Sequence, residues 1–125
     1  MATLSEQTKT PVAISNAIVR EDWDEVKSHL TDDVFYKVGS DPERHGPQDV
    51  VDYLKELFLT AKFTGEDVRQ IWESEGAVVI EMDAHYLRVK DRKEFLIACV
   101  DIYRLQGDKV REWRVYPDLR PLFGA

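Results

Sequence analysis

The sequence predicts an α+β domain in which helices precede an antiparallel meander. Two observations carry this reading. Apolar residues recur at helical spacing through the first half of the chain, and after Gly65 the pattern changes to four strand-like segments separated by hairpin-length turns. A third observation argues against the main competitor, because the chain has no glycine-rich phosphate loop of the kind a doubly wound nucleotide-binding fold uses. Helices first and strands afterwards put the helices together on one face of the sheet.

Residues 12–20 form the first predicted helix, with Val12, Ala13, Ala17, Ile18 and Val19 at helical spacing and Pro11 suited to the first turn. Asp22 caps a second, short helix that ends by Thr31. Its stripe is Trp23, Val26 and Leu30, and Asp24 and Glu25 lie near the positive end of its dipole. Residues 34–38 read as a short strand and residues 39–46, rich in turn formers, as a loop. Pro47 opens a third helix whose stripe of Val50, Val51, Leu54, Leu57 and Phe58 frays near Lys62. Strands follow at about 64–74, 77–89, 94–105 and 109–116, with turns at 75–76, 90–92 and 106–108.

At 125 residues, 43% hydrophobic and 33% charged, the chain suits one domain with a real core, taken as residues 1–125 with the folded part at about 12–122. The net charge of −7 offers no basic footprint for nucleic acid or for an anionic membrane surface. No apolar stretch approaches the roughly 20 residues that span a bilayer. Residues 3–10 are too polar for a signal peptide, and the lone Cys99 cannot form an intrachain disulfide. Cytoplasm is the expected compartment.

The last hairpin carries the chemistry. Alternation puts Asp101, Tyr103, Arg111, Trp113 and Val115 on one face and Val100, Ile102, Arg104, Glu112, Arg114 and Tyr116 on the other. A carboxylate beside an indole suits the wall of a small-molecule pocket better than a dry core, where an unpaired charge is costly. With the preceding turn centred near Asp91, Asp83 and His85 fall on the same face as Cys99 and Asp101. The candidate catalytic set is therefore Asp101, Asp83 and His85, two carboxylates and an imidazole able to divide acid and base roles. Trp113 and Tyr36 are candidate walls, together with Cys99, Val115, Ile14 and Leu54. A satisfied polar network in a sheet explains the same three residues without chemistry. A metal site built from them lacks any familiar ligand spacing, and none is expected. His45, in the turn-rich loop, reads first as a surface residue, and Cys99 as a packed small side chain.

Four stretches then carry a family resemblance: residues 21–26 (EDWDEV), 30–36 (LTDDVFY), 45–54 (HGPQDVVDYL) and 100–113 (VDIYRLQGDKVREW). In this order they resemble the SnoaL-like polyketide cyclase group of the nuclear transport factor 2-like superfamily. The resemblance implies a cystatin-like cone, three N-terminal helices packed on a curved antiparallel sheet, a pocket inside the cone and frequent dimerisation through the outer face of the sheet. Asp101 matches the acid that ketosteroid isomerases carry in a Val-Asp-hydrophobic strand, whereas Ile14 stands where their helix-one tyrosine is expected. The isomerase base falls near Tyr36-Lys37, where there is no carboxylate. Val115 stands where limonene epoxide hydrolases and SnoaL-type cyclases carry a catalytic aspartate. The hydrolases' Arg-x-Asp pair aligns with Asp83-Ala84-His85. Asp118 matches a common aspartate at the exit of the sheet.

Two functions follow as expectations. One is a pocket enzyme of isomerase, cyclase or hydrolase type acting on a small, mostly apolar organic molecule without an organic cofactor. The other is a non-catalytic binding or interaction module of the same fold. A homodimer is expected through a face carrying Val78, Ile80, Met82, Tyr86, Val100 and Ile102, which is too apolar to leave in water.

Overall fold

The first helix starts a turn and a half before the apolar spacing begins. In the computed structural model, which describes residues 5–123, α1 runs Glu6–Val19, so Pro11 lies inside the helix rather than in its first turn. The hydroxyl of Ser5 caps it by accepting the Thr8 amide at 3.3 Å. An interior proline costs a helix about 3 kcal/mol, and the extra turn is held by bonds that no local pattern reveals. The hydroxyls of Ser5 and Thr8 both donate to the Glu73 carboxylate. The Gln7 amide donates to the Ser74 carbonyl at 2.8 Å and accepts from the Gly76 amide at 3.1 Å. Thr10 donates to the Asp108 carbonyl at 2.9 Å. Tertiary hydrogen bonds thus decide where the helix begins.

The remaining elements are α2 (Trp23–Ser28), β1 (Leu30–Val38), β2 (Arg44–His45), α3 (Pro47–Phe58), β3 (Ala61–Ser74), β4 (Ala77–Arg88), β5 (Glu94–Gln106), β6 (Lys109–Pro117) and α4 (Arg120–Phe123). Asp22 caps α2 by accepting the Glu25 amide at 3.1 Å. Leu30, expected on that helix, instead opens β1 opposite Val110, because the His29 carbonyl is already taken by the Val110 amide. Gly46 precedes α3 at φ 88°, a conformation glycine takes without strain, and Pro47 follows as the first helical residue. Asp49 reaches back to accept the His45 amide at 3.0 Å. The helix ends at Phe58 rather than fraying near Lys62, since β3 begins at Ala61 opposite Arg88.

The strands form one curved, unclosed sheet in the order β2-β1-β6-β5-β4-β3, antiparallel except for the parallel pair β1 and β6. The core lies between its concave face and the helices. Ile14 and Ala17 of α1, Val50 and Val51 of α3, and Val78, Ile80, Met82 and Ala84 of β4 belong to one core cluster, all nearly or wholly buried. No helix among the described residues is long and apolar enough to cross a membrane.

One register decides the site. Between β4 and β5, Ile80 faces Asp101, Met82 faces Cys99 and Asp83 faces Ala98. This is one residue away from the pairing expected with a turn centred on Asp91. The hairpin closes through Arg88 N–H to the Lys93 carbonyl at 2.8 Å, and Asp91 accepts the Lys93 amide within the turn. In a sheet a shift of one residue exchanges the faces completely. Val78, Ile80, Met82 and Tyr86 therefore turn inward, while Asp83 and His85 turn outward.

Candidate functional site

Asp101 lies at the middle of β5, only 7% exposed, with its side chain in the cone. Tyr103, two residues along the same face, donates its hydroxyl to Oδ2 at 2.9 Å, and the Trp113 indole Nε1 donates to the same oxygen at 3.4 Å. The Cys99 thiol lies 3.2 Å from Oδ1. Burial pushes the Asp101 pKa up against the effect of these three donors. Oδ2 thus has two donors, a phenol and an indole, and Oδ1 has only the weak thiol.

A second acid faces the same space. Glu66 stands opposite Ala84 on β3 and lines the cavity. Desolvation, followed by the proximity of Asp101, raises its pKa from the ordinary 4.5 to about 7, and the Ser15 hydroxyl offsets part of the rise. The sequence reading missed Glu66 because β3 does not alternate cleanly. Register shifts between Phe63 and Gly65 and between Val68 and Gln70 break the period and hide which side each residue takes. The signal that was present is the lone Gly65 inside a strand, a frequent mark of a bulge.

The raised pKa has a consequence for stability. Between the unfolded value and about 7 the folded state holds a proton that the unfolded chain has lost, so Glu66 favours folding at low pH and ceases to do so as pH rises through 7. Glu66→Gln should abolish this dependence and be more stable than wild type above neutrality by on the order of 2 kcal/mol. Urea unfolding of both proteins across this range checks it. Parallel pH profiles would show that Glu66 is not held in a desolvated site.

The cavity is about 60 Å³ and is walled by α1, α3, the concave sheet and the segment after β6. That is several times the roughly 10–15 Å³ a single water requires. Its rings are Tyr36, Tyr53, Phe58, Phe63, Tyr86 and Trp113. Tyr36 sits 4.7 Å from Trp113 and 5.6 Å from Tyr53 between centroids, and Trp113 stacks on Tyr103 at 5.3 Å. Tyr53 donates to Asp41 at 3.4 Å. Burial raises the Tyr36 and Tyr86 pKa values. None of the described lining residues is basic.

The cavity wall thus contains Asp101, Trp113, Tyr36, Cys99, Val115 and Leu54. Ile14 does not reach it: the side chain is fully buried in the core, and Ser15 takes the lining position. Asp83 and His85 are not part of the cluster expected for them. The corrected register puts them on the outer face, where Arg69 pairs with Asp83 and Asp67 lies 3.0 Å from His85 Nε2. His45 is exposed beside Glu43 at 3.1 Å. Asp118 is held by Arg120 at 2.9 Å, which lowers its carboxyl pKa to about 2. Burial pushes the Cys99 thiol up, so it is no thiolate nucleophile at neutral pH. Among the described residues no group of three or more His, Cys, Asp or Glu is placed to hold a metal ion.

Comparison with solved structures returns the same fold at low identity. An LEH-like epoxide hydrolase of M. tuberculosis is 20% identical, with a TM-score of 0.78 over 94% of this chain and 86% of that one. A protein named as a candidate SnoaL-like polyketide cyclase from Shewanella putrefaciens CN-32 is 12% identical, with a TM-score of 0.83 over 94% and 93%. An NTF2-like protein of unknown function from Burkholderia pseudomallei is 16% identical, with a TM-score of 0.83 over 98% and 100%. Comparison with curated proteins gives no match. The α+β cone is therefore the nuclear transport factor 2-like fold. The sequence of residues 13–113 matches the SnoaL-like domain, which covers most of the 125 residues, and the chain belongs to that family.

Proposed function

We propose that the cone is a small-molecule site in which Glu66 and Asp101 exchange protons with a mostly apolar organic substrate, an isomerase, cyclase or hydrolase type of reaction. The observation that carries this reading is the pairing of two inward carboxyls whose pKa values burial raises, in a cavity otherwise lined by rings and aliphatic groups. Glu66, half ionised near neutrality, is the base. Asp101 is the acid, since a protonated Oδ1 can donate to a developing oxyanion while Oδ2 stays fixed by Tyr103 and Trp113. No step requires an organic cofactor. The family membership and the solved relatives described as a hydrolase or cyclase are compatible with such chemistry.

The test is to find a ligand by native mass spectrometry or thermal shift and confirm cone occupancy from methyl NMR shifts of Leu54 and Met82. Turnover by wild type and Glu66→Gln is then compared. Retained binding with lost turnover supports the base. Binding without turnover in wild type favours a non-catalytic module.

The homodimer rests on the outer sheet face with its corrected residues. Trp72, Leu96 and Tyr116 are about half exposed, and Val79, Val100 and Ile102 adjoin them, together an apolar surface that helices do not cover. Sedimentation at micromolar concentration should give a dimer burying about 800 Å² per partner, and Ile102→Arg should shift it to monomer. A monomeric wild type would remove this interface.

A further inference from the structure

We propose that the ligand of the cone is a protonated organic amine, an ammonium group on an otherwise apolar body, seated against Glu66 inside the ring of aromatic side chains. This rests on the reading of the cone as a ligand site and narrows it to one chemical class. Four observations point to it.

Among the described residues the only carboxyls on the wall are Glu66 and Asp101, and no Lys, Arg or His shares the lining. An anionic ligand would meet no counter-charge there, whereas a cation meets one. Six rings, Tyr36, Tyr53, Phe58, Phe63, Tyr86 and Trp113, surround the same space, and the negative face of an aromatic ring attracts ammonium groups. Tyr36 and Tyr86 stand on the wall, and their phenol oxygens are of the kind that accepts N–H bonds; Tyr36 is only 2% exposed. The chain as a whole carries a net charge of −7, which draws cations toward any opening.

Glu66 makes the two ligand classes distinguishable. The groups facing it are Ser15 from α1, Tyr86 from β4, and Cys99, Asp101 and Tyr103 from β5, none of which supplies a positive charge. A cation offsets the desolvation of the carboxylate and keeps Glu66 ionised and competent as a base. A neutral apolar ligand removes the remaining water and favours the protonated acid. Ammonium binding should therefore strengthen as pH rises through about 7, and binding of a neutral body should weaken.

The experiment uses isopentylammonium, which keeps its charge and its three N–H donors from about pH 5.5 to about pH 8.5, against its neutral carbon isostere 2-methylpentane. Each is titrated into the full chain while the methyl resonances of Leu54, Leu57 and Met82 are followed. At about pH 8.5 the cation should bind at least about tenfold more tightly, and the preference should shrink by about pH 5.5 as Glu66 takes up its proton. Glu66→Gln should bring the two within about twofold at both pH values and hold the isostere at the affinity it has for wild type at low pH. The pH series in wild type tests the same point if that variant folds poorly. Equal or tighter binding of the isostere at high pH overturns the amine and leaves an apolar pocket standing. A cation preference that survives both low pH and Glu66→Gln assigns the attraction to the surface and also overturns the proposal. If neither probe moves these methyls, the cone takes no such body, and the small-molecule reading falls with the amine.

Discussion

Asp101→Asn is expected to keep the fold and the shape of the cavity while lowering any turnover on the order of 10²-fold or more. The substitution is close to isosteric, and the hydrogen bonds around it can be kept. An amide oxygen in the place of Oδ2 still accepts from Tyr103 and Trp113, and the amide nitrogen can donate to the Cys99 sulfur. What disappears is a proton that can be released to substrate and recovered. In a binding module the same change would alter affinity by only about 1 kcal/mol, the scale of one hydrogen bond. Comparing kcat/KM with Kd for wild type and variant on one ligand separates the two, and unchanged turnover would remove Asp101 from the chemistry.

Trp113→Ala is expected to cost about 3–5 kcal/mol of stability. The indole is 3% exposed, packs between Tyr36 and Tyr103 and donates to Asp101. Its removal leaves a cavity beside the reactive acid and deprives Oδ2 of one of its two donors. Trp113→Phe restores most of the volume but not the donor, so its loss should be nearer 1 kcal/mol. Urea unfolding of the three proteins measures both terms. A loss below about 1 kcal/mol for the alanine variant would mean that the site collapses around the missing ring without strain.

Periodicity in the sequence was sufficient for the α+β class and for the last hairpin. Alternation on β5 and β6 put Asp101, Trp113 and Val115 on one side, since Gly107 marks their turn, but a bulge between Arg104 and Leu105 shifts the register there and leaves Arg111, expected on the same face, exposed beside the inward Val110. It failed between β4 and β5, where the turn contains no glycine and Arg92 supplies the left-handed residue at φ 57°. Composition does not locate such a turn to the nearest residue, and that residue decided the positions of Asp83 and His85. Glu66 escaped for a related reason: the bulges of β3 exist only relative to the partner strand. The first turn of α1 was illegible because its support comes from Glu73, Ser74, Gly76 and Asp108, distant in the chain.

The turn between Arg88 and Glu94 acts as a parity device. Each residue added or removed there exchanges the two faces of β4 relative to β5 unless a bulge absorbs the change, so Asp83 and His85 would enter the cone while Met82 and Ala84 met water. Drift in the identity of these turn residues leaves the phase of the sheet untouched, and so does a length change by two. A change by one inverts it. Among descendants of such a chain, this loop should therefore vary freely in letters and in even steps of length, while odd steps appear only beside a compensating bulge.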